Sequence, residues 1–175
     1  HAELIGKKTN ALFSYMLIDT ENKKSISMAC SLNYQIFQTW NYYSLIPKKN
    51  SSFKIEFAKS LNSNFSPYYV DSWRWLETNE NILSDLCVQN KVIKSNLNDN
   101  NSIAIIGDYK HLDKTLIVTL FSESFDTLSN VISYLQNYAF EKNYERIQIL
   151  TKEKLPFFDN LEYKISFNLM KKSLS

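Results

Sequence analysis

Only two glycines, Gly6 and Gly107, occur in 175 residues. Glycine is the residue that enters left-handed backbone without steric penalty and lets a backbone come close to a ligand. A chain this poor in glycine, far below ordinary usage, has no means of building a glycine-rich phosphate loop. Wherever the backbone must turn left-handed, another residue has to do it, and asparagine is the usual substitute.

The rest of the composition narrows the class. Hydrophobic residues make up 44% and aromatics 14%, with 11 Tyr and 11 Phe, which is enough for a real core and argues against disorder. The length suits one domain or two small ones. Twenty basic and 18 acidic residues leave a formal charge of +2, so nothing suggests a dedicated nucleic-acid binder. The short runs Lys23-Lys24, Lys48-Lys49 and Lys171-Lys172 read as solvated faces. Cys30 and Cys87 show neither metal spacing nor a disulfide framework; in apolar company they read as buried, reduced thiols of a cytoplasmic protein. No apolar run is long enough to span a bilayer, and no signal-peptide pattern is present. The sequence opens on His1 and runs directly into a helical pattern, which reads as a processed or truncated product.

The periodicity predicts a mixed α and β protein. Residues 1–8 read as the tail of a helix, with Gly6 and two lysines as C-terminal signals. Ala11 to Ile18 is a continuous apolar run, as in a buried strand. Asn22, with Thr20 as its rival, caps a helix whose Ile26, Ala29, Cys30 and Asn33 share an inward face. Tyr34 to Phe37 and Trp40 to Ile46 read as strands closed by Pro47. Lys48 to Asn64 is polar and linker-like, although Phe53, Ile55 and Phe57 alternate as in a short strand. Thr78 caps a helix through Val88, with Ile82, Leu83, Leu86 and Cys87 on one face. Lys91 to Ser95 is a further strand. Ser102 to Ile106 and Thr115 to Phe121 form strands joined by a Gly107-to-Asp113 hairpin loop. Asp126 or Ser124 caps a helix with the stripe Leu128, Val131, Ile132, Leu135, Tyr138 and Ala139. Glu145 to Thr151 and Leu161 to Met170 are closing strands around a loop with Pro156. A helix between two apolar strands suggests a right-handed crossover in a mixed sheet.

The stretch YMLIDTENKKSISMACSLNYQIFQTW, within Ser14 to Trp40, resembles the second half of a GNAT-superfamily N-acyltransferase domain. In that family an apolar strand leads to an Asn-started helix and then to a Leu-x-Gly-Phe-like turn into the next strand. Asn22 matches the helix-start Asn, Ser25 the small residue three positions on, and Leu32-Asn33-Tyr34 the turn, with Asn in place of Gly. Residues 71–175 resemble a second, diverged copy. The resemblance implies an α+β fold with a mixed sheet, divided as 1–47 (C-terminal half of a first copy), 48–66 (linker) and 67–175 (second copy). It implies transfer of an acetyl group from acetyl-CoA to an amine of a small molecule or peptide. It leaves room for a homodimer, and it calls for no nucleic acid, membrane or metal.

The same resemblance locates the site. Family members hold the pyrophosphate on backbone N–H groups at a helix start, in a glycine-bearing loop, and a splayed central strand pair admits the pantetheine arm. The matching loop of the second copy is Ser122 to Thr127, which has no glycine or arginine and two acidic residues; it reads as degenerate. Asn22 and Ser25 are the cofactor contacts implied, although Asn22 is also a good helix cap by itself. The family's tyrosine acid falls on Ala29, so no catalytic residue is assigned. Tyr68, Tyr69, Trp73, Arg74 and Trp75 read as a substrate-contacting wall, with Arg74 facing a carboxylate or phosphate, or as core packing at a domain junction. His111 reads as an exposed loop residue, and Glu141, Glu145 and Glu153 as surface charges. A GNAT-like module without catalysis, serving dimerisation or partner binding, and an unrelated α+β ligand-binding domain are the competing readings.

Overall fold

The computed structural model describes residues 2–8, 10–61, 68–71, 74–97, 100–107 and 114–174. In chain order the elements are α1 (Ala2–Lys8), β1 (Phe13–Asp19), α2 (Lys23–Ser31), β2 (Gln35–Leu45), β3 (Glu56–Phe57), β4 (Tyr68–Asp71), β5 (Arg74–Glu77), α3 (Glu80–Val88), β6 (Val92–Leu97), β7 (Asn100–Gly107), β8 (Thr115–Ser122), α4 (Phe125–Glu141), β9 (Arg146–Thr151) and β10 (Leu161–Ser173). They pack as two compact units, residues 1–42 with 164–175, and residues 43–163.

Asparagine replaces glycine at the helix ends. Asn10, Asn33, Asn90 and Asn143 each have φ between 54° and 65° and follow α1, α2, α3 and α4 in turn. After α2 the Tyr34 N–H donates to the Ala29 carbonyl and the Asn33 N–H to that of Cys30, both at 3.0 Å. The same pair of bonds closes α3 (Lys91 to Leu86, Asn90 to Cys87) and α4 (Tyr144 to Ala139, Asn143 to Phe140). This arrangement satisfies carbonyls that a helix end otherwise leaves open. The left-handed Asn33 agrees with its expected role.

In the first unit, β10 lies between β1 and β2. It pairs antiparallel with β1 from Phe13↔Ser173 to Asp19↔Phe167, and Thr39 Oγ1 donates to Asn168 Oδ1 at 2.9 Å across to β2. Ile18, Ala29, Tyr34 and Met170 form the core, with Met16 and Ile26 against them. The Tyr34 hydroxyl ties the unit together, 2.7 Å from Ser14 Oγ and 3.1 Å from Glu3 Oε1. Glu3 in turn accepts from Lys172 Nζ at 2.7 Å. Two expectations need correction. The apolar run at 11–18 is not a buried strand: β1 is the outer strand of its unit, and only its Ile18 is buried. Cys30 is exposed, one step round the helix from the fully buried Ala29, whereas Cys87 is buried as expected.

In the second unit, β3, β6, β7, β8 and β9 follow one another in the sheet. β6, β7 and β8 are antiparallel neighbours, and β8 and β9 are parallel. Side chains alternate across a strand, which divides the core in two. Ile93, Ala104 and Ile106 pack with Leu128, Val131, Ile132, Leu135 and Ala139 of α4. Their neighbours Val92 and Ile105 pack with Leu83, Leu86 and Cys87 of α3. The sheet is thus covered by α4 on one face and α3 on the other. The polar stretch after Pro47 is strapped along α4 over its described residues: the Asn50 N–H donates to Asn137 Oδ1 (3.1 Å) and the Lys54 N–H to Asn130 Oδ1 (3.0 Å). Phe53 meets the Tyr134 ring edge-on, and Glu56–Phe57 forms the short strand its alternation suggested.

Two local readings shift, and one open choice closes. The cap of α3 is Asn79, whose side chain accepts from the Ile82 N–H at 3.0 Å, and not Thr78. Ser124, and not Asp126, caps α4. Residues 35–45 form one unbroken strand instead of two. The expected hairpin loop to Asp113, with His111, lies outside the described residues beyond Gly107.

The asparagine ends give a direct test. Asn143→Ala places a Cβ-bearing residue with no side-chain amide in left-handed backbone and is expected to lower stability by about 1 kcal/mol. Asn143→Gly is expected to leave it unchanged or raise it slightly. Urea unfolding midpoints of the two variants check this.

Candidate functional site

A parallel pair of neighbouring strands needs a crossover connection, and α4 supplies it between β8 and β9. The parallel ladder runs from Thr115↔Arg146 to Thr119↔Leu150. β8 continues to Ser122 and keeps its antiparallel partner β7 as far as Ser102↔Ser122. The parallel ladder therefore stops before β8 does, and α4 leaves from the end of the longer strand.

The turn at that point is chemically occupied. Ser102 Oγ lies 2.7 Å from Ser122 Oγ and 2.8 Å from Thr127 Oγ1, and Ser124 Oγ lies 2.8 Å from Thr127 Oγ1. The Ser122 hydroxyl donates to the Ser124 carbonyl at 3.0 Å, and Ser124 Oγ accepts from the Thr127 N–H at 3.3 Å. Glu123 Oε2 accepts from the Asn101 N–H at 2.8 Å, and the Glu123 N–H donates back to the Asn101 carbonyl at 2.9 Å. Phe125, the first residue of α4, stacks flat on Phe158 with ring centroids 5.0 Å apart. A pyrophosphate needs free N–H donors and no opposing charge at a helix start; here Ser124 Oγ takes the Thr127 N–H, Glu123 and Asp126 add negative charge, and an aromatic pair flanks the turn. These residues do not fit a CoA pyrophosphate.

At the end of β9, the Thr151 hydroxyl bonds Glu153, whose N–H donates back to Thr151 Oγ1 at 3.2 Å. Burial pushes the Lys152 ammonium below the ordinary lysine range, and Glu153 opposes that shift.

Asn22 and Ser25 stand together at the start of α2. Asn22 Oδ1 accepts from the Ser25 N–H at 3.0 Å. The Asn22 amide hydrogens have no partner among the described residues. Lys23 Nζ donates to the Thr20 carbonyl at 2.8 Å. Two lysines in a first helical turn oppose the helix dipole, an arrangement an anionic ligand would offset.

The aromatic cluster lies in the second unit, on the β4–β5 hairpin. Tyr69 pairs with Leu76, Val70 with Trp75 and Asp71 with Arg74. Tyr68 and Tyr69 are buried; Tyr69 packs with Leu83, Leu86 and Ile105 in the α3 core, and the Tyr68 hydroxyl donates to Glu77 Oε1 at 3.1 Å. Burial, then Asp71, raises the Tyr69 pKa, against the opposing pull of Lys91 and Arg74. Trp75 is half-buried, and Arg74 is largely exposed, 3.5 Å from Asp71 Oδ2. Trp73 lies outside the described residues. Asn22 and Ser25 belong to one unit and the hairpin to the other.

Two further residues position the hairpin. The Val70 N–H donates to Thr119 Oγ1 at 2.8 Å, which docks the hairpin at the last rung of the parallel ladder. A Cβ on Gly107 would stand 2.8 Å from the Val70 carbonyl oxygen, so this glycine is required by close backbone approach. A lone threonine in an apolar strand carries no signal of such a bond; the scarcity of glycine did mark Gly107. No group of His, Cys, Asp and Glu among the described residues could hold a metal ion, and none of their helices is long and apolar enough to cross a membrane.

No protein-family model matches the sequence, and no curated protein is significantly similar to it. Solved structures resemble it in fold. A candidate acetyltransferase of Thermoplasma acidophilum superposes with a TM-score of 0.55 at 11% identity, over 98% of this chain and 62% of its own. A GCN5-related N-acetyltransferase of Sphaerobacter thermophilus gives 0.54 at 5% identity, over 99% and 65%. A conserved protein of unknown function from Staphylococcus epidermidis gives 0.53 at 13%, over 97% and 76%. The chain thus spans less than two thirds of the first two proteins. The likeness identifies a GNAT acyltransferase fold, the α+β mixed-sheet architecture expected from the Ser14–Trp40 motif.

The closed turn can be probed through Thr127, which is fully buried between Ser102 and Ser124. Thr127→Val keeps the shape and leaves buried hydroxyls short of a partner, so a loss of about 1–3 kcal/mol is expected. Denaturant unfolding at constant m-value checks it.

Proposed function

We propose that this chain is the C-terminal portion of a two-copy GNAT protein that transfers an acetyl group from acetyl-CoA to an amine of a small molecule or peptide. Residues 1–47 are the C-terminal half of the first copy, 48–66 connect, and 67–175 are the second. The observation that carries the reading is the parallel β8–β9 ladder that stops at Thr119↔Leu150, with α4 leaving from the longer strand. When bound, acetyl-CoA supplies a thioester carbonyl open to attack by an amine. In this reading the chain's own contribution is binding: the Asn22 amide hydrogens meet the CoA arm, while its carbonyl oxygen stays on the Ser25 N–H, and Lys23 and Lys24 favour the anion electrostatically. Arg74 and the open part of Trp75 are what an acceptor reaches on the substrate wall, since Tyr68 and Tyr69 are buried. With two free cysteines, we read the protein as cytoplasmic.

A second reading applies to residues 67–175. The Ser122–Thr127 turn, with its linked hydroxyls and with Glu123 in it, favours a copy that supports its neighbour and binds no cofactor of its own.

Calorimetric titration of the whole chain with acetyl-CoA tests the proposal. Saturable binding is expected, weakened about tenfold, or about 1.4 kcal/mol, by Asn22→Ser. Serine keeps the helix cap and removes the amide, so stability serves as the control. Binding unaffected by Asn22→Ser contradicts the role of Asn22. No heat at about 1 mM acetyl-CoA leaves only the non-catalytic reading.

A further inference from the structure

Among the described residues of the first unit, β1 is the outer strand and pairs with β10 on one side only. An outer strand presents a row of backbone donors and acceptors to any strand that can reach it, and proteins ordinarily blunt such an edge with lysine, proline or shortness. The edge strand of the second unit, β3, is kept to two residues. β1 has none of these protections. Its seven residues, FSYMLID, include no lysine or proline and hold their one charge, Asp19, at the end.

The direction of the backbone groups follows from the ladder. The Leu174 N–H donates to the Leu12 carbonyl at 2.9 Å, and the Thr20 N–H to the Ser166 carbonyl at 3.0 Å. In an antiparallel pair, opposed residues that exchange bonds alternate with those that do not. The even-numbered residues from Leu12 to Thr20 therefore bond β10, and the N–H and C=O groups of Phe13, Tyr15, Leu17 and Asp19 point away from it. A second β1 laid antiparallel along this edge must set odd residues against odd ones. The register that overlaps the whole strand, Phe13 against Asp19 and Met16 against itself, does so, and it has the two-fold symmetry of a closed dimer. The Asp19 carbonyl accepts from the Asn22 N–H at 3.0 Å and keeps a second lone pair for a partner strand.

The charges agree with that register. Phe13, Tyr15 and Leu17 share one face of the strand, and Phe13 and Leu17 are 39% and 38% exposed. Lys171 of β10 lies opposite Tyr15. Its Nζ is 3.6 Å from the centroid of the Phe13 ring, 5.1 Å from that of Phe37 and 5.5 Å from that of Tyr15. Among the described residues no carboxylate pairs with this ammonium. Asp19 Oδ1 accepts from the Glu21 N–H at 2.8 Å, and the other carboxylate oxygen has no partner among the described residues. In the full-length register Asp19 of the second copy stands beside Phe13, next to the Lys171 ammonium, and the symmetry makes this pair twice. Tyr15 stands against Leu17, an aromatic–aliphatic cross-strand pair.

We propose that two copies of this chain join through β1, edge to edge and antiparallel, with Phe13 against Asp19 and with Asp19 of each copy paired to Lys171 of the other. The contact goes beyond acyl transfer: Asn22 and Ser25 lie outside the paired strand.

Sedimentation velocity of the whole chain from about 1 to about 300 μM is the test. A dimer that forms with rising concentration, and no larger species, is expected. Leu17→Lys puts a charge on the edge and is expected to weaken the dimer about tenfold or more. Asp19→Lys and Lys171→Asp each set like charges across the contact, with about tenfold weakening expected. The double exchange, Asp19→Lys with Lys171→Asp, is expected to restore the dimer to within about threefold of the original. All three positions are at least partly exposed, and far-UV circular dichroism checks that each variant is folded. A chain that stays monomeric at about 300 μM overturns the proposal and leaves the edge to a strand of another polypeptide. So does a dimer indifferent to Leu17→Lys, or one that the double exchange leaves as weak as the single ones.

Discussion

The second unit depends on the burial of α4. Two parallel neighbours cannot be joined by a tight hairpin, and the helix that joins β8 to β9 must bury an apolar stripe against them. Leu128, Val131, Ile132, Leu135 and Ala139 are each at most 3% exposed, and a fully buried side chain of the larger kinds contributes about 1.5–3 kcal/mol. That packing fixes where α4 begins, hence where β8 ends and where the turn between them lies. That turn is filled by Ser102, Ser122, Ser124 and Thr127, which bond to one another, and by Glu123, which bonds Asn101. The GNAT fold is thus kept around a turn built as a linked polar cluster.

Glycine scarcity shapes the structure as much as it limits the function. The helices α1 to α4 each end on a left-handed asparagine, reached at lower steric penalty than most residues would incur. The two glycines sit where packing is tight. A Cβ on Gly6 would come within 3.0 Å of the Leu174 side chain, and one on Gly107 within 2.8 Å of a backbone oxygen. None is left for a phosphate loop.

Much of this was legible in local pattern. The α4 stripe, the Asn22 cap and the left-handed Asn33 each follow from a few adjacent residues, and each is found where the pattern put it. What was not legible depends on distant partners. The run at 11–18 is apolar, but apolarity does not tell an outer strand from a central one. β10 enters between β1 and β2 through pairings such as Met16↔Met170, which no local signal announces. Thr78 and Asn79 are both good caps, and a one-residue choice between them turns on backbone geometry. Cys30 and Ala29 are neighbours on a helix, and only packing decides which faces in. For the site, the lack of glycine and the acidic residues at 122–127 were visible, whereas the hydroxyl network that closes the turn needed Ser102, twenty residues away.

In the proposed function acetyl-CoA meets the start of α2 and not the turn that opens α4. Amide resonances followed by ¹⁵N–¹H NMR during addition of acetyl-CoA test both halves at once. Shifts confined to the Asn22–Ile26 region, with the Ser122–Thr127 amides unmoved, are the expected result. Shifts centred on Ser122–Thr127 would contradict the account.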